Sequence, residues 1–218
     1  MKRPLSFLSA TLAAITVACS TVAQRSPAGD TIAQAGVSPV ASAGNATPPY
    51  TAADVRFLAG MIDHHAQAVL MAGWAPSHGA SGSIRILCER IAVAQRDEIA
   101  FMQRWLAERH ETVPSADPQG HGMPGMHHAM LMPGMLTPAQ LAQLDGARGP
   151  EFDRLFLTYM IQHHRGAITM VQQLLGAQGA AQDGQIFRFA ADVNADQTTE
   201  IDRMSRMLDA MTTRETRP

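Results

Sequence analysis

The sequence predicts an all-α protein, a four-helix bundle assembled from two duplicated αα-hairpins with a His/Met-rich crossover loop and one short extra helix. Three observations carry this. Aromatic residues make up only 5% of the 218-residue chain, and neither Val/Ile/Thr-rich runs nor strict apolar alternation occurs, which argues against β structure. Helix-capping and helix-breaking residues divide the chain into four long segments and one short one. The chain also repeats itself. Phe57-Leu58-Ala59-Gly60-Met61-Ile62-Asp63-His64-His65 aligns with Phe156-Leu157-Thr158-Tyr159-Met160-Ile161-Gln162-His163-His164, and Ala68 and Met71 align with Ala167 and Met170. A second block, Gln95 with Glu98, Ile99, Met102 and Leu106, aligns with Gln197, Glu200, Ile201, Met204 and Leu208. Such a repeat marks duplication of one supersecondary unit.

Each element follows from its ends. Thr51-Ala52-Ala53-Asp54 has capping-box form, and Pro76 should stop the helix it opens. Gly79 to Gly82 supplies a short turn, after which the second helix is expected from about Ser83 to Arg109, with Pro114 beyond its end. Thr137-Pro138-Ala139-Gln140 starts a short helix with Pro at the first helical position. Gly149-Pro150 opens the next long helix, which fades at Gly176 to Gly179, and the last is expected from about Ala181 to Met211. Helix pairs of this length bury their apolar stripes by packing as a bundle with pseudo-two-fold symmetry. The long connection from His110 to Leu136 then crosses between the halves. The expected domain is residues 51–213: repeat 1 over 51–110, loop and short helix over 111–149, and repeat 2 over 150–213.

The amino terminus reads as an export signal. Met1-Lys2-Arg3 is basic and Leu5 to Ala18 is mostly apolar, too short and too dotted with Ser and Thr to span a bilayer. Two processing readings compete: cleavage after Thr21-Val22-Ala23, giving a signal peptide of 1–23, or a lipoprotein signal of 1–18 with acylation of Cys19. Residues 24–50, rich in Ser, Ala, Gly and Pro, read as a flexible tether. Either route places the protein in the periplasm or cell envelope. A net charge of −2 argues against a nucleic-acid partner, and two cysteines cannot form a disulfide framework. Cys88 falls in a helical pattern and is expected as a buried small hydrophobe.

The unusual entries in the composition are 14 Met and 9 His. On a helix, Met61, His64, His65, Ala68 and Met71 share one face, and Met160, His163, His164, Ala167 and Met170 repeat it. Gln95, Glu98, Met102 and Trp105 share the inward stripe of the second helix, and Gln197, Glu200 and Met204 that of the last. A hydrophobic core needs none of these polar groups, and burying them unpaired is costly. The plain alternative is core histidines held by Glu98 and Glu200, with methionine as packing. Two symmetric His-His pairs flanked by Met favour metal ligation instead. Neighbouring histidines diverge by about 100° on a helix, so one of each pair would face the metal while the other supports it. The crossing segment adds His121, Met123, Met126, His127, His128, Met130, Met132 and Met135, interrupted by Gly and Pro as in a loop. Thioether with imidazole is the ligand set that favours Cu(I), and imidazole alone also holds Cu(II).

Met61-Ile62-x-His64-His65-x-x-Ala68-x-x-Met71, its copy from Met160 to Met170, and Met132-Pro133-Gly134-Met135 ahead of Phe152-Asp153 together resemble the CopM-like periplasmic copper-binding family of bacteria, long catalogued as a domain of unknown function. The resemblance covers roughly Ala52 to Met211. It implies a ferritin-like bundle and a role in copper binding or copper tolerance in the cell envelope. By position it implies Met61, His64, His65 and Met71 as ligands in the first half, and Met160, His163, His164 and Met170 in the second. His121, Met123, Met126, His127, His128 and Met130 form a second candidate set in the loop.

The expected function is therefore binding rather than catalysis: copper ions sequestered or handed on, with envelope copper-handling proteins as partners. No nucleophile–base constellation is evident. A ferritin-like metal-dependent oxidase is the enzymatic alternative, but Glu-x-x-His is absent and too few hard ligands remain for iron. Asp54 and Asp153 also repeat, yet they lie near helix starts, where the dipole accounts for them. A metal-free structural bundle is the remaining alternative.

Overall fold

The computed structural model describes residues 50–119 and 132–215. These form five helices and, among the described residues, no strand: α1 (Ala52–Gly73), α2 (Gly82–Glu108), α3 (Pro138–Gly146), α4 (Pro150–Gly176) and α5 (Gly184–Glu215). The export signal, the tether and Cys19 lie outside the described residues, as does the loop set His121, Met123, Met126, His127, His128 and Met130.

The expected capping chemistry sets the helix starts. The Thr51 hydroxyl accepts from the Asp54 backbone N–H while the Asp54 carboxylate accepts from the Thr51 N–H, closing the capping box of α1. Thr137 and Gln140 do the same for α3, with Pro138 in the first turn. α1 ends at Gly73, ahead of Pro76, because residues 74–79 already wind into turns. α5 begins a few residues later than the pattern suggested. Asp183 caps its first turn by accepting from the N–H groups of Gln185 and Ile186.

α1 packs on α2 and α4 on α5, and the two hairpins meet along α1 and α4. Both contacts between the halves are antiparallel. Phe57, Leu58 and Met61 near the start of α1 share an apolar cluster with Ala167 to Leu174 near the end of α4. Ala68 to Ala72 share a second cluster with Phe152 to Ile161. α2 and α5 follow the same rule: Met102, Trp105 and Leu106 join Ile186, Phe189 and Val193 in one cluster, while Ile84 to Ala92 join Met204 in the other. The core is thus two apolar layers, one toward each end, and the repeated His, Gln and Glu positions fall between them.

Reciprocal clasps hold the hairpins together. The buried Asp54 carboxylate at the start of α1 accepts from the Ala181 N–H in the turn before α5, at 2.7 Å. Its repeat partner Asp153 accepts from the Ser81 N–H in the turn before α2, at 3.2 Å. These carboxylates do more than answer a helix dipole; each ties its helix to the other hairpin's turn. Arg109 at the end of α2 pairs with buried Asp183 at 2.9 Å while lying 3.9 Å over the Trp105 ring. His78 is also structural. It is buried between Trp74 and Phe152, and its Nε2 bonds Asp145 at the end of α3.

Candidate metal centre

His64, His65, His163 and His164 are fully buried at mid-bundle. Antiparallel packing of α1 and α4 sets the His64 and His163 rings against each other, with centroids 3.8 Å apart and planes 37° from parallel. Their neighbours turn away, as helical geometry requires. His65 Nε2 meets the Glu98 carboxylate on α2 at 2.7 Å, and His164 Nε2 meets that of Glu200 on α5 at 2.6 Å. Both carboxylates keep about a fifth of their side chains exposed, at 20% and 24%, so they link the buried imidazoles to solvent.

His64 has a further partner. Its Nε2 donates to the Pro133 carbonyl at 3.0 Å. That carbonyl belongs to a strap, residues 132–136, that closes the crossover and runs along the α1/α4 seam. Buried Gln67 grips the strap at both polar atoms, accepting from the Leu136 N–H at 2.7 Å and donating to the Leu136 carbonyl at 3.2 Å. Gly134 takes a left-handed φ of +77° against Gly166, whose backbone lies so close that a Cβ there would stand 2.0 Å from the Pro133 oxygen. Only a residue without a side chain admits the strap at this point.

The electrostatics keep the central pair neutral. Burial, aided by the neighbouring His65, lowers the His64 pKa to about 3. Burial and the imidazoles of His64, His164 and His65 hold His163 well below its ordinary value. A neutral imidazole carries one lone-pair nitrogen. In His64 the Pro133 contact places the proton on Nε2, leaving Nδ1 as the donor atom. The Nδ1 atoms of all four histidines, the Nε2 of His163, both polar atoms of Gln95 and the Oε1 of Gln197 have no hydrogen-bond partner among the described residues. At about 1–3 kcal/mol for each unanswered group, this layer would cost on the order of 10 kcal/mol, comparable to the net stability of a whole domain.

The methionines frame this layer in a way the half-by-half grouping did not foresee. Because α1 and α4 are antiparallel, Met61 lies with Met170 and Met102 in one apolar cluster, and Met160 with Met71 and Met204 in the other. Each cluster therefore mixes both repeats. Met61 and Met160 stand one turn from the histidines on their own helices. Met71 and Met170 stand about 10 Å along the axis, seven residues at 1.5 Å each. Met102, Met204, Gln95 and Gln197 belong to the site's surroundings as fully as the sequence-derived candidates. They lay on the inward stripe of the repeat, but nothing in their spacing set them apart from packing.

The donor chemistry fits a soft metal ion. Unanswered imidazole nitrogens stand at the centre, carboxylates orient two of the rings from behind, and thioethers occupy the adjoining layers. Among the described residues, no group of three or more His, Cys, Asp or Glu is arranged to hold a metal ion. A complete ligand set here must draw on thioethers or on small movements of the rings.

Comparisons with known proteins agree with this architecture. No curated protein sequence matches the chain. A DUF305 protein structure from Streptomyces coelicolor is 29% identical, covering 73% of this chain and 94% of its own, with a TM-score of 0.63. A DUF305 fragment from Deinococcus radiodurans is 28% identical over 75% of this chain and 99% of its own, also with a TM-score of 0.63. CopM in its Cu(II)-bound form is 26% identical over 72% of this chain and 96% of its own, with a TM-score of 0.57. The sequence profile of the domain of unknown function DUF305 matches residues 54–208, the whole span from the first clasp to the end of the α5 core stripe, and the chain belongs to that family.

Proposed function

We propose that this protein is an exported, non-enzymatic copper-binding protein that sequesters or hands on Cu(I) and Cu(II) through histidine and methionine, contributing to copper tolerance in the envelope. The observation that carries it is the buried layer of four histidines whose Nδ1 atoms have no partner among the described residues, between two methionine-bearing layers. Neutral imidazole is the form that ligates, and burial keeps His64 and His163 neutral far below physiological pH. His65–Glu98 and His164–Glu200 have the carboxylate–imidazole arrangement that orients a ligating ring. Copper is the metal named for the CopM structure, and thioether with imidazole suits it better than iron or zinc. Export rests on the leader pattern, with the Streptomyces coelicolor relative described as a candidate secreted protein. Among the described residues no helix is long and apolar enough to cross a membrane.

The test is an anaerobic Cu(I) competition titration of the mature protein, with Zn(II) and Fe(II) beside it. It is repeated on a His64→Ala/His163→Ala double variant and on a chain lacking residues 121–130, which leaves the strap in place. Binding that survives the deletion and falls in the double variant supports the buried layer as the main site. Binding lost with 121–130 moves the site to the loop, and no preference for copper returns the protein to a structural bundle. Mass spectrometry of the mature amino terminus decides between cleavage before Gln24 and acylation of Cys19.

A further inference from the structure

One methionine outside the ligand set of the sequence reading is held where a soft ion could reach the histidines. Met132 opens the strap, next to the Pro133 whose carbonyl holds His64. It is half-buried, whereas Met170 below it is 8% exposed and Met61 and Met102 are fully buried. Its Sδ lies 3.0 Å from where a Cβ of residue 60 would stand, and the Met170 methyl lies 3.5 Å from the same point. The Met132 sulfur and the Met170 methyl therefore both reach the same face of Gly60, which has no side chain to hold them off. The repeat makes this specific. The position equivalent to Gly60 in the second half is Tyr159, which packs against the other apolar cluster and whose hydroxyl bonds Gln143 instead. Gly60 is also one helical turn before His64 on the same face of α1.

We infer that Met132 and Met170, both reaching the same face of Gly60, form a thioether docking site for a soft monovalent metal ion on its way to the buried histidines. The inference rests on the copper-binding reading above. Thioether is uncharged and polarizable, so it takes Cu(I) or Ag(I) in preference to hard divalent ions and holds it weakly enough to release it. The half-exposed Met132 contacts the ion first, and Met170 supplies the second sulfur from the core, on the helix that carries His163.

Silver(I) is the probe, because it mimics Cu(I) without redox chemistry. The full chain carries ¹³C-methyl methionine, and its methyl and imidazole resonances are followed during an anaerobic Ag(I) titration. Met132→Leu and Met170→Leu assign the two methyl signals at little packing cost. The expected result is that both signals move together at sub-stoichiometric silver. Stopped-flow uptake of Cu(I) into Met132→Leu should also slow on the order of tenfold, the lower end of what losing a supporting group costs a metal site. If the imidazole signals respond while these two methyls stay fixed, the docking site is refuted and the histidine site stands. If no histidine or methionine responds, the copper reading fails with it. Unchanged uptake in both leucine variants likewise overturns the proposal.

Discussion

Gly166→Ala tests the strap directly. The new methyl would stand 2.0 Å from the Pro133 oxygen, 2.5 Å from its carbonyl carbon and 2.6 Å from the Gly134 Cα. All three are backbone atoms, so no side-chain rotation relieves the clash. Ordinary contact begins near 3.4 Å, so the strap must retreat by more than an ångström. That takes the Pro133 carbonyl out of hydrogen-bond range of His64 Nε2, now 3.0 Å away. Overpacking costs about 1–3 kcal/mol, and a buried N–H left without its acceptor adds about 1–3 kcal/mol. Alanine's better helix propensity returns about 1 kcal/mol. The net loss is about 1–5 kcal/mol, centred near 3. Urea unfolding measures it, and ¹⁵N shifts of the His64 ring report whether the proton stays on Nε2. Gly73→Ala is the control. It lies in the same kind of helix with nothing within 4 Å of the added methyl, and should be neutral or stabilising by up to about 1 kcal/mol. If Gly166→Ala is as benign as Gly73→Ala and the His64 ring shifts are unchanged, the strap does not position that histidine.

Further outcomes follow from the same geometry. Arg109→Ala leaves the buried Asp183 carboxylate unpaired and removes the cover over Trp105, so it should cost about 3–5 kcal/mol; a urea midpoint within error of wild type would count against the clasp. Asp54→Ala opens the capping box and strands the Ala181 N–H, for about 2–4 kcal/mol in the same assay, whereas Asp54→Asn should recover part of it. Stability should also fall in acid. His64 and His163 stay neutral in the folded state below the ordinary 6.5, so the unfolded chain binds those protons first. Nothing is lost above pH 6.5; below it stability drains as pH falls, for His64 down to about 3 and by roughly 1 kcal/mol per pH unit, and His163 adds a loss in the same direction. Denaturant midpoints unchanged between pH 7 and pH 5 in the metal-free protein would contradict this.

Most of the architecture was readable because its signals are local. Thr51 with Asp54 and Thr137 with Gln140 mark helix starts through hydrogen bonds that close within one turn, and Gly149-Pro150 marks one because Pro150 has no N–H to satisfy in the first turn. The inward faces were readable because helical period places His64, His65, His163 and His164 among apolar neighbours. The pairing of methionines was not, since Met71 joins Met160 only through the direction in which α4 runs past α1. Nor was the burial of His78, which depends on α3 coming back to place Asp145 beside it. Met132-Pro133-Gly134-Met135 is legible as a motif, but its landing place is a contact across 69 residues, from Pro133 to His64, that no spacing rule encodes.

The mismatches in the repeat locate that landing place after the fact. Phe57, Leu58, Met61, Ile62, His64, His65, Ala68 and Met71 all have identical partners 99 residues on, and all are buried. Seven pairs in this stretch differ, and three of them, Gly60 with Tyr159, Asp63 with Gln162, and Gln67 with Gly166, touch the crossover in at least one half. Gly60 admits Met132, Asp63 accepts from the Asp117 N–H, Gln67 grips Leu136, Gln162 donates to the Gly134 carbonyl, and Gly166 makes room for Pro133. Duplication alone would give two equal half-layers with interchangeable histidines. The chain has only one crossover, so whatever it touches in one half must differ from its copy in the other. That is why His64 has one nitrogen committed to Pro133, while His163, its equal in burial and surroundings, has neither nitrogen committed among the described residues.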